Sequence, residues 1–320
     1  MNSDIFFIVG AQKCATSWLY YCLRDHPEIH LPSKKREDIY LGGDLHRKHG
    51  TDWYLRHVGE PKNGQEAGDA SVDYLFDPRS PVAIEEIARE ARIIAVLRDP
   101  VERAISAYYW NLRRGNFSNL DSSAGLKRCL ETAMAEDSER VTYDPEAYAI
   151  NTILRGVYDV QLSRYVETFG PERLFVVPMN KIETAAASIL ESVYGFLHVD
   201  STYKPSGLHQ KRRPKQNSYL PFLLQLERNA PNWHIFNNVI DVANQVACYV
   251  GLDRGRPSLS EDVRTALHDY YRDSARRTFE IVRNVPSSRN LWEGVTWLNI
   301  PFSDPQNQPE EKTGTSVKKY

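Results

Sequence analysis

Three short runs of the chain are almost continuously apolar: Ile5–Val9, Arg92–Leu97 and Leu174–Val177. That pattern predicts strands buried on both faces of a parallel sheet. Between them, apolar positions recur at helical spacing. Thr16 to Asp25 sets Leu19, Cys22 and Leu23 on one face, and the helix is expected to stop at His26-Pro27, since a residue before proline is driven out of the helical region. Ser80-Pro81 opens a second helix carrying Ala83, Ile84, Ile87 and Ala88. Asp99-Pro100-Val101-Glu102 is a strong start signal: Asp99 can cap, Pro100 suits the first helical position, and Glu102 completes a capping box. From Gly156 to Phe169, Val157, Val160, Leu162, Tyr165, Val166 and Phe169 form an amphipathic helix that runs directly into the third strand. Strand and helix alternating at this pitch predict an α/β fold, a doubly wound, mainly parallel sheet with helices on both faces, in a single domain over 1–302. Residues 113–146 mix Gly, Asn, Ser and charges around a short helical piece and are expected to form a substrate flap. Residues 303–320 are polar and predict a disordered tail; the KTGTS within them has no strand before it and is not read as a phosphate motif.

Composition narrows the partners. The chain has 320 residues, 26% charged, with a formal net charge of −2, so no global field draws it to nucleic acid or an anionic membrane. Any anion site must be local. The four cysteines, Cys14, Cys22, Cys129 and Cys248, show neither C-x-x-C nor zinc spacing and point to a reduced compartment. The first residues lack the basic-then-apolar order of a signal peptide, and no stretch approaches the roughly 20 apolar residues of a membrane span. The expectation is a soluble, cytoplasmic protein.

The candidate chemistry starts where the first strand ends. Gly10-Ala11-Gln12-Lys13-Cys14-Ala15-Thr16-Ser17 lies between a strand and a helix, where open α/β sheets place ligands. Amides at the helix start, the helix dipole, the hydroxyls of Thr16 and Ser17 and the charge of Lys13 can together hold a phosphate. A Walker A loop reads G-x-x-x-x-G-K-[ST]. Here Lys13 follows Gly10 by three residues with no glycine before it. The alternative is an ordinary strand–turn–helix connection with an exposed lysine. A second constellation follows the second strand: Arg98 ends it, and Ser106 lies eight residues on, two turns into the helix. A guanidinium fork and a hydroxyl there can grip a second phosphate. The alternative is that Arg98 or Arg103 pairs with Asp99 or Glu102 at the surface.

At these residues the chain resembles sulfotransferases that use 3′-phosphoadenosine 5′-phosphosulfate (PAPS), in particular bacterial and glycan-type members. GAQKCATSWLYYCL is similar to their 5′-phosphosulfate loop and LRDPVERAISAYYW to their 3′-phosphate motif. GDASVDYL and GVYDVQLSRYVETFGPERLFVV resemble two further blocks, so the likeness covers roughly residues 5–215 in order. The resemblance implies a donor site of Gly10, Gln12, Lys13, Ala15, Thr16 and Ser17, with Lys13 on the leaving-group oxygen and the sulfuryl oxygens. Arg98 and Ser106 would hold the 3′-phosphate, and Trp18 would stack on adenine unless it is a core residue of the first helix. The basic run Lys211, Arg212, Arg213 corresponds to a late loop that closes over the 3′-phosphate. Adenosine 3′,5′-bisphosphate (PAP) would be the product.

For the acceptor side, the resemblance aligns Glu37 with the general base by its spacing to Tyr40-Leu41, although Arg36 and Leu41 depart from the family pattern. Asp38 is the neighbouring alternative, and a histidine among His46, His49 and His57 is another; His26 reads as a helix terminator. Ala70 stands where glycan enzymes tend to carry a lysine, which weighs against an anionic glycosaminoglycan. Ala15 replaces the usual glycine. Trp53, Tyr54, Tyr74, Tyr108, Tyr109 and Trp110 are expected near the acceptor, which fits a saccharide or a small natural product. Lys13 can neutralise the leaving oxygen without a metal, and no Asp/Glu pair follows a strand in the manner of a magnesium ligand, so none is required. An ATP-dependent P-loop kinase and a non-catalytic nucleotide-binding protein are the competing readings.

Overall fold

The computed structural model of the chain describes residues 5–32, 36–114, 116–117, 122–136, 144, 146–209, 259–297 and 300–301. Lys211, Arg212, Arg213 and the 303–320 tail fall outside them. Five strands, β1 (Ile5–Gly10), β2 (Ile29–His30), β3 (Glu66–Ala70), β4 (Arg92–Leu97) and β5 (Leu174–Pro178), form one parallel sheet in the order β2-β3-β1-β4-β5. The three apolar runs are its centre and one edge, each within a residue of its expected bounds. β1, β4 and β5 are buried along nearly their whole length, as continuous apolar runs require.

β3, Glu-Ala-Gly-Asp-Ala, carries no strand signal in its side chains. It is a strand because β1 templates it, pairing Ile5 with Ala67 through Ile8 with Ala70. Gly68 is required there by packing, since the ring of Phe6 fills the space a Cβ would occupy. Asp69, next to it, is 2% exposed; the hydroxyls of Tyr54 and Tyr74 donate to its Oδ2 at 2.8 and 2.7 Å. Burial pushes the Asp69 carboxyl up, and the two phenols oppose that rise by stabilising the anion.

Around the sheet lie α1 (Thr16–Arg24), α2 (Asp44–His49), α3 (Thr51–Val58), α4 (Asp73–Phe76), α5 (Ser80–Glu85), α6 (Pro100–Arg113), α7 (Ser122–Met134), α8 (Tyr148–Leu154), α9 (Tyr158–Phe169), α10 (Met179–Leu197) and α11 (Glu261–Arg283). α6 begins as its sequence predicts: Asp99 Oδ1 accepts from the amides of Val101 and Glu102 at 2.9 and 3.2 Å. A second core lies among α6, α7, α8 and α11, built on Ile105, Tyr108, Leu126, Leu130, Ile153 and Leu267. The helical piece expected within 113–146 is α7, which sits in this core through Leu126, Cys129, Leu130 and Ala133. β5 is an edge strand, and the segment after α11 covers it: Ser288 Oγ accepts from Val176 N, and the Trp292 indole donates to Val176 O. No helix of the described residues is long and apolar enough to cross a membrane.

Gly68→Ala is expected to cost about 1–3 kcal/mol, the usual range for overpacking a close-packed core. Urea unfolding of the variant measures it, and an unchanged midpoint would mean that Phe6 does not occupy that space.

Candidate active site

The strand order reverses on either side of β1, so the segments leaving β1 and β4 diverge and open a crevice at the carboxyl ends of the sheet. A cleft of about 390 Å³ lies there. The loop after β1 is pinned at its first residue, Ala11, whose N–H donates to Val96 O of β4 at 2.8 Å. Lys13 and Ala15 then adopt left-handed backbone, with φ of 69° and 63°. Such residues on either side of Cys14 curl successive peptide N–H groups into a concave anion nest. Ala15 is the N-cap of α1 and has no side chain with which to cap it. The first amides of α1 are therefore left for a ligand. Cys14 points away from the cleft: fully buried, its Sγ lies 3.6 Å from Tyr158 Oη, and burial pushes its thiol pKa up. It props the loop from beneath as a neutral thiol.

Gln12, Lys13, Ala15, Thr16, Ser17 and Trp18 all line the cleft. Gly10 does not belong to that lining; it closes β1 with its Cα against Leu75. Trp18 is a core residue of α1 that also reaches the cleft. It is 6% exposed and packed in the core, its indole N–H donates to Leu208 O at 2.9 Å, and it still forms part of the wall.

The β4 side supplies Arg98 and Ser106, both on the cleft. The surface pairing foreseen for Arg98 also occurs, through Nη2 to Glu102 Oε2 at 3.2 Å, and Arg264 of α11 holds the other oxygen of Glu102 at 3.0 Å. Glu102 thus aims the guanidinium while the arginine keeps its place in the wall. Ser106 and Trp110 stand one helical turn apart on the cleft face of α6, while Ile105, Tyr108, Tyr109 and Leu112 face the second core. The Lys13 Nζ lies 5.6 Å from the Trp110 ring centroid, a cation–π distance.

Arg103 is not a surface residue. It is fully buried and reaches the last turn of α8, where its Nη2 donates to Thr152 O. Tyr271 Oη donates to Ile153 O at 2.7 Å, and Gln161 Nε2 to Leu154 O at 3.0 Å. Ile153 O and Leu154 O also accept from Gly156 N and Val157 N at 2.9 and 3.0 Å, so these side chains add to the backbone bonds that close the helix end. The cation also sits at the negative end of the helix dipole.

The well-held end of α8 presents Arg155, which is 4% exposed. Its Nη2 pairs with Asp73 Oδ1, its Nη1 donates to Val72 O at 3.3 Å, and its guanidinium lies 4.7 Å from the Phe76 ring. On the other side of the same peptide segment, Val72 N–H donates to Glu37 Oε2 at 2.9 Å, and Ser71 Oγ donates to Glu37 O at 2.7 Å. Glu37 therefore faces the cleft with a fixed carboxylate, and Tyr40 and Leu41, which gave its alignment, are buried anchors of that loop.

Asp38 turns outward. It is held by both Arg36 nitrogens at 2.9 and 2.6 Å, and that hydrogen-bonded pairing holds its carboxyl below the usual range. The Arg36 charge is thus directed at Asp38. None of the described histidines lines the cleft. His26 is 1% exposed and bonded to Asp200 O, and His46 bridges Gly42 N and Thr51 Oγ1. Of the six aromatics expected near the acceptor, Trp110 reaches the cleft; Tyr54, Tyr74, Tyr108 and Tyr109 are core, and Trp53 packs against it.

The sequence reading missed Val72, Asp73, Asn111, Tyr148, Asn151, Arg155 and Met179 in the wall. A signal existed for three of them, because Tyr148, Asn151 and Arg155 fall at i, i+3 and i+7, one face of a helix. Among the described residues, no group of three or more His, Cys, Asp or Glu side chains could hold a metal ion.

Residues 3–217 match the family described as "Sulfotransferase domain". Over 275 residues, 84% of this chain, it is 26% identical to human "Bifunctional heparan sulfate N-deacetylase/N-sulfotransferase 3", of which it covers 28%. Over 167 residues, 51% of the chain, it is 29% identical to "Membrane-associated sulfotransferase kil1" of Dictyostelium discoideum, of which it covers 31%. The chain thus spans less than a third of the length of these curated relatives. A solved sulfotransferase from Alicyclobacillus acidocaldarius superposes with a TM-score of 0.53 and 28% identity, over 65% of this chain and 86% of that one.

The left-handed backbone at Ala15 gives a direct test of the loop geometry. Ala15→Gly is expected to stabilise the fold by about 1 kcal/mol, the sign opposite to that of a glycine introduced into regular structure. A lowered urea midpoint would place Ala15 in ordinary backbone.

Proposed function

The chain belongs to the sulfotransferase-domain family, and on that premise we propose that it moves a sulfuryl group from PAPS to a hydroxyl or amine of a saccharide or small natural product. One observation carries the proposal: Lys13, Thr16 and Ser17 from the end of β1 share a single cleft with Arg98 and Ser106 from the end of β4. Two anion-gripping segments at neighbouring strand ends suit a nucleotide bearing phosphate groups at both its 5′ and 3′ positions. In this proposal the loop amides, Thr16 and Ser17 take the 5′-phosphate and Arg98 and Ser106 the 3′-phosphate, with Trp18 beside the base. Lys211, Arg212 and Arg213, proposed from the resemblance as further 3′-phosphate ligands, lie outside the described residues.

The chemistry is an in-line displacement. The acceptor oxygen or nitrogen attacks sulfur opposite the bond to the bridging oxygen. As the new bond to sulfur forms, the sulfur–oxygen bond to the 5′-phosphate breaks and its electron pair passes to that oxygen, leaving PAP. Lys13 neutralises the charge that develops there, a donor aimed at the transition state rather than the ground state. Glu37, held at Oε2 by Val72 N–H, takes the acceptor proton. Holding the acceptor in line supplies the remaining acceleration.

Lys13→Ala is expected to lower kcat by about 10³-fold or more, as for loss of a principal transition-state donor. Glu37→Gln should lower kcat by about 10²–10⁴-fold while PAP binding stays within about twofold. Full activity in that variant would move the base elsewhere. Arg98→Ala should weaken PAP by about 10–100-fold, the scale of charge-assisted hydrogen bonds, and adenosine 5′-phosphosulfate far less. The deciding measurement is calorimetric titration of the protein with PAP and, separately, with ATP and Mg²⁺. Binding of PAP with little for ATP supports the donor assignment; the reverse would replace it with a kinase.

A further inference from the structure

The helix α11 lies beyond residues 3–217, the stretch that matches the sulfotransferase domain, yet it reaches the β4 end of the cleft. Val263, Leu267 and Tyr271, at i, i+4 and i+8, bury one of its faces in the second core against α6. That register sets Arg264 beside Glu102, where its Nη1 donates to Glu102 Oε1 at 3.0 Å. The other oxygen, Oε2, accepts from Arg98 Nη2 at 3.2 Å, and Arg98 lines the cleft. One carboxylate thus stands between two guanidiniums, and the cluster carries a net positive charge. A carboxylate and a phosphate suit the same guanidinium fork and therefore compete for it. Asp38, which faces one arginine, takes both Nε and Nη2 of Arg36. Glu102 instead divides its oxygens between Arg98 and Arg264.

We propose that Arg264 is a specificity-determining residue for the 3′-phosphate of the donor, a positioning residue that acts through Glu102. This rests on the donor assignment above and extends it to α11. With Arg264 in place, Glu102 aims the Arg98 guanidinium while its own charge is answered from the other side. Without Arg264, the whole charge of Glu102 falls on Arg98 and competes with the phosphate for the fork. Arg264 and Glu102 are both partly exposed, at 36% and 43%, so their pairing contributes little to folding and its effect is read in binding.

The test is calorimetric titration of the full chain with PAP and with adenosine 5′-phosphate, which lacks the 3′ group. Arg264→Ala is expected to weaken PAP about fivefold at low salt, the upper end for a partly exposed ion pair, and adenosine 5′-phosphate by less than about twofold. The PAP loss should shrink in about 0.5 M salt, where exposed charges are screened. Arg264→Lys keeps the charge and should recover most of the loss. In a Glu102→Gln background, Arg264→Ala should change PAP affinity by less than about twofold, because no carboxylate is left to compete. An unchanged or raised PAP affinity in Arg264→Ala, equal losses for the two nucleotides, or a full loss that persists beside Glu102→Gln overturns this role for Arg264 alone. A parent protein that binds PAP no more tightly than adenosine 5′-phosphate overturns the 3′-phosphate assignment and this inference with it.

Discussion

Parallel pairing of β1 with β4 is the constraint on which the site depends. The register from Phe6 opposite Arg92 to Gly10 opposite Ala95, with Ala11 hydrogen-bonded to Val96, brings the ends of both strands to one level. Two of the described segments that can bind an anion leave from those two ends: the nest at Lys13–Ser17 from one, Arg98 and the capped start of α6 from the other. Because β3 lies on the far side of β1, the chain diverges there, and the sheet itself makes the crevice. Neither segment lines the cleft alone. Side by side they can hold two anionic groups of one molecule.

The groups around the cleft are held by buried polar contacts that do little for the core as such. Arg103, Tyr271 and Gln161 secure the carbonyls at the end of α8 and so fix Arg155, which grips the peptide whose N–H holds Glu37. Asp69 with Tyr54 and Tyr74 occupies the space beneath the same segment, and the Tyr74 hydroxyl also accepts from Leu41 N. Buried polar groups are costly unless bonded, so such a chain of contacts is a rigid frame with few alternative arrangements. The left-handed residues at 13 and 15 add local strain in the place where the backbone must present its amides.

Most of the cleft lining that leaves β1 and β4 was legible because it is local. The spacing from Gly10 to Lys13 and Thr16-Ser17, and from Arg98 to Ser106, lies within single strand–turn–helix units whose apolar runs announce them. The rest of the wall was much less legible. Spacing to Tyr40-Leu41 singled out Glu37, which lines the cleft, whereas the pairing of Asp38 with Arg36 shows only in the folded chain. Aromatic content pointed to six residues, of which packing sends most inward and leaves Trp110 on the cleft. Arg103 looked like a surface ion-pairing residue because its neighbours in sequence are acidic, whereas the partners it finds are carbonyls 49 and 50 residues away.

By itself, then, the sequence determined the strands that carry enough apolar side chains to be buried on both faces, the helix starts with their own caps, and the residue types of the two anion loops. Each depends on interactions within about a dozen residues, which composition and spacing record directly. Only the tertiary structure decided that Glu-Ala-Gly-Asp-Ala is a strand, that α8 contributes a wall of the cleft, and that Arg155 and Val72 orient Glu37. Those outcomes arise from pairing and burial between segments far apart in the chain. There a residue's role is set by the partner that packing brings to it, and its own chemistry only limits which partners it can accept.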